Sequence, residues 1–149
     1  MITVEFDFAK IAKKLDGITE ASKKALRPAA QAGAEIFYLE AKMRVPVSDG
    51  SHFFYGSGSK KSGVRYLFKA GNLRDSIYQF YNKSQSTEDK AVYSISWNHK
   101  KAPYGYMVEY GTSNAPAHPF LRPSYDSAAN RAREAVMAIM RNSIRKATQ

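Results

Sequence analysis

The chain has 149 residues, a formal net charge of +10 and no cysteine. This length fits one domain with a single core, so we expect residues 1–149 to fold as one unit. The absence of cysteine excludes disulfides, zinc fingers, iron–sulfur clusters and thiol catalysis. The excess of lysine and arginine favours anionic partners, such as nucleic acid or an acidic protein surface.

The sequence lacks the patterns of export and of membrane insertion. Residues 1–8 alternate apolar and polar side chains and have no basic segment followed by an apolar core, as a signal peptide would. No apolar run approaches the roughly 20 residues that span a bilayer. We therefore expect synthesis in the cytosol and no membrane partner.

The N-terminal third is predicted to be mainly helical. The alternation from Ile2 to Phe8 predicts a short strand. A short helix from Phe8 to Leu15 follows, with Gly17 as its stop. Thr19 is a suitable N-cap for a longer helix that reaches about Arg44. Pro28 lies within this helix and is expected to kink it or to restart it.

Small residues make one part of the long helix thin, which allows another element to approach closely. The predicted inward stripe of this helix consists of Ala25 or Leu26, Ala29, Gly33, Ile36 or Phe37, Glu40 and Met43.

Residues 48–70 are rich in glycine, serine and lysine, with aromatic residues interspersed. A loop of more than about 15 residues in a compact domain is usually functional or disordered. Two interpretations stay open: a flexible insertion, or a loop that orders against a neighbouring molecule. Partial hairpin character is compatible with Val64–Phe68. The aromatic residues available for such ordering are Phe53, Phe54, Tyr55, Tyr66 and Phe68.

Three strands are predicted after this loop. Gly71–Asp75 forms a turn that leads into a strand over Ser76–Lys83. Ala91–Trp97 alternates regularly and gives the clearest strand of the sequence. Tyr104–Tyr110 is predicted as the third strand, which ends at Gly111. Short connections favour an antiparallel meander, with the N-terminal strand at one edge.

The last element predicted is an amphipathic helix from Pro123 to about Lys146, which would cover one face of the sheet. The fold class is therefore α+β. A small antiparallel sheet of three to four strands packs against a long kinked N-terminal helix and a long C-terminal helix, with a long flexible loop between the first helix and the sheet.

No residue pattern indicates reaction chemistry or a bound cofactor. His52, His99 and His118 lack the spacing of metal ligands, so no metal site is expected. Gly56-Ser57-Gly58 superficially resembles a nucleophile elbow, but it lies in low-complexity sequence instead of between a strand and a helix. We therefore expect no catalytic residue and no enzyme activity.

Four motifs in order carry a resemblance to a known family. They are Ala41–Val47 at the end of the first long helix, Gly71–Ile77, Tyr104–Thr112, and Pro119–Pro123 before the last helix. The chain resembles, from about residue 8 to 145, the neck and tail-completion proteins of long-tailed DNA bacteriophages and prophages. These proteins are also described as head–tail connector or minor tail components.

One departure from the family pattern concerns the long loop. In the family, the end of the first helix runs almost directly into the Gly71–Ile77 type of motif, whereas residues 48–70 intervene here.

The resemblance implies an α+β fold and a non-enzymatic virion protein. It further implies a homo-oligomeric ring, expected to be a hexamer, where the tail meets the capsid neck. The implied partners are further copies of the chain and the phage tail-tube and head-neck proteins. The protein would be made in the host bacterial cytoplasm. The resemblance does not separate a neck adaptor from a tail terminator.

The candidate contact residues are aromatic side chains and arginines. Phe120 can anchor its loop in the chain's own core or in that of a neighbour. Arg74 and Arg122 can pair with carboxylates such as Asp75 and Glu109, within or between subunits. The expected subunit or partner interface comprises Phe53, Phe54, Tyr55, Tyr66, Phe68, Arg74, Tyr104, Tyr110, Phe120 and Arg122.

A basic nucleic-acid-binding module is the alternative function. No helix-turn-helix or zinc module is visible, so any DNA contact is expected to be independent of sequence. The residues for contact with DNA or an acidic surface are Lys60, Lys61, Arg65, Arg141 and Arg145.

Overall fold

The computed structural model describes residues 8–55 and 62–149. Its longest element is helix α1, Phe8–Arg44, and the predicted strand over residues 2–7 lies outside the described residues. The predicted break at Gly17 and Thr19 is wrong, because the helix continues through both. Thr19 Oγ1 donates to the Leu15 carbonyl at 3.0 Å, a bond within the helix instead of a cap. Pro28 lies inside α1, so the helix does not restart there.

Seven further helices and strands follow α1 in the part of the chain that the structure describes. They are β1 (His52–Phe54), β2 (Tyr66–Phe68), α2 (Asn72–Asp75), β3 (Ile77–Tyr81), β4 (Tyr93–Trp97), α3 (Gly105–Tyr110) and α4 (Leu121–Thr148), with a single 3₁₀ turn, Lys83–Gln85, between β3 and β4.

Helices α1 and α4 pack against each other through small residues. Ala29 in α1 and Ala128 in α4 are buried. A Cβ atom on Gly33 would lie 2.8 Å from Val136 Cγ2, so only glycine fits there without rearrangement. The structure thus confirms that the small residues of α1 allow close approach of another element, which is α4. Met43, predicted to point inward, is instead 72% exposed.

The strands form two separate antiparallel pairs, β1–β2 and β3–β4. The predicted single meander of three to four strands is therefore wrong within the described residues, although the α+β class is confirmed. In the second pair, Ile77 lies opposite Trp97 and Tyr81 opposite Tyr93. Helix α1 packs against this pair, and Glu35 and Gln79 are joined by a side-chain hydrogen bond.

Residues Tyr104–Tyr110 were predicted as a strand but fold as helix α3 over Gly105–Tyr110. The apolar pattern of this segment fits both the strand period of 2 and the helix period of 3.6. The burial of its residues decides between the two. Gly105 and Glu109 are four residues apart, so a helix directs both toward the core, where both are buried. Tyr106 and Tyr110 then face solvent, with 61% and 51% exposure. The core has no space for a side chain at position 105, since a Cβ atom would lie 2.3 Å from Trp97 Nε1.

The main hydrophobic core lies where α1 ends and α4 begins. Its buried residues include Val45, Leu73, Ile77, Trp97 and Phe120. The rings of Trp97 and Phe120 meet edge to face, with centroids 5.8 Å apart. This core joins both long helices to the β3–β4 pair.

The insertion over residues 48–70 contains a short hairpin made of β1 and β2. The predicted hairpin character of Val64–Phe68 is realised by β2, whose partner strand is His52–Phe54. Residues 56–61, which include Lys60 and Lys61, lie outside the described residues. None of the helices in the described ranges has the length and apolar character needed to cross a bilayer.

Candidate functional site

The inner face of the β1–β2 hairpin packs on a single tyrosine. The ring centroids of His52 and Phe68 each lie 5.0 Å from that of Tyr104, and the centroid of Phe54 lies 6.0 Å from it. Tyr104 is held in place because Asn72 Nδ2 donates to its hydroxyl oxygen at 3.1 Å. Three of the predicted contact aromatics therefore belong to one structural unit, Phe54 and Phe68 on the hairpin and Tyr104 at the start of α3.

The outer face of the same hairpin is uncovered. Phe53 and Leu67 are directly opposite each other in the register, so their side chains share this face. Phe53 is 56% exposed and Leu67 is 60% exposed. Tyr55 and Tyr66, near the described end of the hairpin, are also more than half exposed. Tyr66 lies opposite Phe54 in the register and therefore on the other face. We call Phe53, Tyr55 and Leu67 the hairpin surface.

The sequence did not single out Leu67, although it lies between two predicted contact residues, Tyr66 and Phe68. Because pairing across a hairpin depends on register, only the structure shows that Leu67 lies beside Phe53.

A cavity of about 370 Å³ lies beneath the hairpin. Its walls include Val47 after α1, Phe54 of the hairpin, and Tyr104 and Val108 at α3. The hairpin therefore rests on the rest of the molecule through a few aromatic contacts, with space beneath it. A two-stranded hairpin of this kind is marginally stable by itself, so its position depends on those contacts.

Glu109 organises the start of the last helix. Its carboxylate accepts backbone N–H bonds from Phe120 at 2.7 Å, from Leu121 at 3.1 Å and from Arg122 at 3.3 Å. Glu109 is only 1% exposed. Free N–H groups and a positive dipole end favour a carboxylate at this place. Glu109 was predicted as a partner for an arginine, and the structure shows that it is also the buried cap of α4.

The loop between α3 and α4 is fixed at both ends. Gly111 has a φ of 76°, a backbone conformation that glycine adopts readily because it has no Cβ atom. The His118 N–H then donates to the Val108 carbonyl at 2.8 Å. Phe120 is fully buried in this chain's own core, so its ring is not available to a neighbouring subunit. Of the two open alternatives for Phe120, the structure selects intramolecular anchoring.

Both predicted arginine–carboxylate pairs form within the chain. Arg122 Nε lies 3.7 Å from Glu109 Oε1, and the Arg122 guanidinium lies over the ring of Tyr110, 5.0 Å from its centroid. Arg74 Nε lies 3.0 Å from Asp75 Oδ1. Each pair uses one arginine nitrogen at these distances, so neither has the bidentate geometry that gives an arginine–carboxylate pair its greatest strength.

The candidate DNA-binding residues fall into separate groups. Arg65 lies next to β2, and its guanidinium is 5.6 Å from the ring centroid of Tyr55. Arg141 and Arg145 are exposed, four residues apart on the C-terminal part of α4. Arg141 lies about 30 Å along the helix axis from the start of α4, at 1.5 Å per residue. Arg65 and these two arginines therefore belong to different elements of the described structure.

The described residues also offer little for metal chemistry. Among them, no group of three or more histidine and acidic side chains is arranged to hold a metal ion. His52 Nδ1 lies 3.4 Å from Ser48 Oγ, and its ring otherwise packs in the aromatic cluster with Tyr104.

The comparison with known families identifies the chain. A family model described as "Bacteriophage HK97-gp10, putative tail-component" matches residues 9–111. The chain belongs to the HK97-gp10-like family. No curated protein and no solved structure matches it. The resemblance drawn from the sequence motifs is thereby confirmed at the level of the family.

Membership makes this HK97-gp10-like protein a bacteriophage tail component. The matched segment includes nearly all of α1, the hairpin, the β3–β4 pair and α3, and it ends at Gly111. Helix α4 follows the matched segment, and Glu109 inside the segment caps it.

Proposed function

We propose that this HK97-gp10-like protein is a non-enzymatic structural part of the head–tail junction. In this proposal it completes the tail, or joins it to the capsid neck, as one subunit of a homo-oligomeric ring, expected to be a hexamer. Family membership supports the structural role in the tail. The finer assignment rests on the surfaces that the fold leaves open.

The hairpin surface is the observation that carries the proposal. It displays Phe53 and Leu67 side by side, each more than half exposed, on a hairpin whose other face is already packed. Burying one such side chain fully is worth about 1.5–3 kcal/mol, so the pair is a strong contact point for a protein partner. Exposed apolar groups that are clustered in this way are typical of interaction sites.

A second pair of exposed aromatic groups lies on α3. Tyr106 and Tyr110 on α3 are both more than half exposed, and their ring centroids lie 4.6 Å apart. Tyrosine suits such a position because its ring adds contact area and its hydroxyl keeps a polar end in water. The proposed partners are further copies of the chain and the tail-tube and head-neck proteins.

A phage that lacks the gene for this chain gives the direct test. We expect filled heads and separate tails in the lysate, seen by negative-stain electron microscopy, and virions restored by a plasmid copy of the gene. Intact virions without the chain would refute the proposal. So would tails that stay attached to heads.

A matched pair of variants tests the hairpin surface in the same complementation assay. Phe53→Asp places a charge within the proposed contact and should abolish joining, since burying an unpaired charge is strongly unfavourable. Ile11→Asp alters a side chain of similar exposure, 53%, on α1 and should complement normally. An equal loss with both variants would show that the hairpin surface has no special role.

Contact with DNA is a second candidate, favoured by the exposed pair Arg141 and Arg145 and by the net charge of +10. It predicts binding of a labelled DNA duplex that weakens steeply between about 50 and 200 mM salt. Arg141→Gln with Arg145→Gln should weaken this binding, whereas Arg133→Gln with Lys24→Gln, which removes the same charge elsewhere, should have less effect. Salt-independent or absent binding would eliminate this candidate.

A further inference from the structure

A second open surface lies on the side of α1 where that helix meets α4 and α2. A groove of about 510 Å³ is lined by Ile36, Leu39 and Met43 from α1, with Arg131 from α4 and Arg74 from α2. The three apolar residues have the spacing of one helix face. Leu39 is 51% exposed and Met43 is 72% exposed, so the floor of this groove is open to solvent. We call it the α1 groove.

The rim of the α1 groove is positively charged. Lys42, Arg74 and Arg131 line it, and Arg44 lies beside it. The two carboxylates near these cations are already engaged. Glu40 is buried and accepts from Arg44 and from Arg131, each at 2.7 Å, and Asp75 pairs with Arg74.

Four cations against two carboxylates leave this rim with an excess of positive charge. Each arginine also has more N–H donors than its single ion pair uses. The rim therefore has donors and charge left for acidic groups on a partner.

We propose that the α1 groove binds an acidic amphipathic helix of a partner protein. The apolar face of that helix would cover Ile36, Leu39 and Met43, and carboxylates along its two sides would meet the basic rim. A groove between two packed helices accepts a third helix through ridge-and-groove contacts. Nucleic acid fits this site less well, because a phosphate backbone offers nothing to cover the apolar side chains of the groove, of which Leu39 and Met43 are exposed. The proposal does not depend on ring formation.

The test uses the full chain and a fluorescein-labelled peptide of about 18 residues, or five helical turns. The peptide carries leucine on one helical face and glutamate and glutamine on the other. We expect saturable binding by fluorescence anisotropy that weakens as salt is raised, because screening reduces the contribution of the rim. A peptide with lysine in place of glutamate should bind at least about tenfold more weakly.

Two matched pairs of variants locate the binding site. Met43→Glu should raise the Kd about tenfold or more, whereas Ile11→Glu, which changes another exposed apolar residue of α1, should leave it unchanged. Lys42→Glu should also weaken binding, whereas Lys24→Glu, with the same charge change on the same helix, should not. The exposure of Met43 makes its replacement compatible with folding, which circular dichroism can verify.

Three outcomes would overturn the proposal. The first is no binding of the acidic peptide at millimolar concentration. The second is equal binding of the acidic and basic peptides. The third is tighter binding of a labelled DNA duplex than of the acidic peptide, with loss of that DNA binding in Lys42→Glu, which would make the groove a nucleic-acid surface.

Discussion

Glu109 shows how one buried side chain can join two elements of this protein. It lies in α3, yet its carboxylate accepts three backbone N–H groups at the start of α4. The first of these three N–H groups belongs to Phe120, whose ring is fully buried in the core. Glu109 therefore fixes both the beginning of the last helix and the depth at which Phe120 is inserted.

Replacing Glu109 by alanine should destabilise the protein by about 3 kcal/mol, because buried backbone donors lose their acceptor. The measurement is the free energy of unfolding in urea. Glu88→Ala is the control: the Glu88 side chain is 87% exposed and pairs with Lys23 at 3.6 Å. This control should change stability by less than about 1 kcal/mol. Equal losses would contradict the capping role.

Two glycines in helices should respond to alanine in opposite directions. Gly105→Ala pushes a methyl group against the Trp97 ring and should cost about 1–3 kcal/mol of stability. Gly17→Ala in α1 meets nothing within 4 Å and should stabilise the helix by up to about 1 kcal/mol. Thermal unfolding of both variants measures the difference. If Gly105→Ala leaves the stability unchanged, Trp97 must move easily, which would contradict its tight packing against Gly105.

At the scale of elements, Glu40 ties the two long helices together. It lies in α1 and binds Arg44 of the same helix and Arg131 of α4. The Arg44 hydrogen bond, followed by that from Arg131, holds the pKa of Glu40 below its ordinary value of 4.5, against the opposing effect of burial.

This lowered pKa sets the direction of the pH dependence. The contribution of Glu40 to stability should be fully present above about pH 4.5, the pKa expected in the unfolded chain. It should be lost as the pH falls through the lower pKa of the folded state. Between pH 7 and pH 3, urea unfolding of the wild type should therefore lose more stability than that of Glu40→Gln. Glu134→Gln is the control, and an identical pH dependence in wild type and Glu40→Gln would contradict the prediction.

At the scale of the whole molecule, the hairpin and the helical core differ in how they are held. The core joins α1, β3, β4 and α4 through buried side chains, whereas the hairpin touches it mainly at Tyr104 and around a cavity. We infer that the residue 48–70 insertion is an addition to one domain whose folding does not require it.

Shortening the hairpin tests this inference. His52 and Phe68 are paired across the strands, so an Asn-Gly turn can join them in place of residues 53–67. We expect one cooperative unfolding transition, with a loss of no more than about 2 kcal/mol from the newly exposed face of Tyr104. Head–tail joining should be lost. A chain that no longer unfolds cooperatively would show that the insertion belongs to the core.

The sequence alone determined the elements whose side-chain pattern repeats over many neighbouring residues. The amphipathic C-terminal helix, the small residues of α1 and the strands β3 and β4 all follow from side-chain period and size. The four ordered motifs also identified the family, because their spacing reflects the order of these elements.

Only the tertiary structure decided the features that depend on distant partners. The segment Tyr104–Tyr110 fits both periods, and the need to place Gly105 against Trp97 and Glu109 at the start of α4 makes it a helix. The pairing of Phe53 with Leu67 likewise depends on strand register. Local preferences differ by less than about 1 kcal/mol per residue, whereas a buried clash or an unpaired buried donor costs more, so long-range packing prevails.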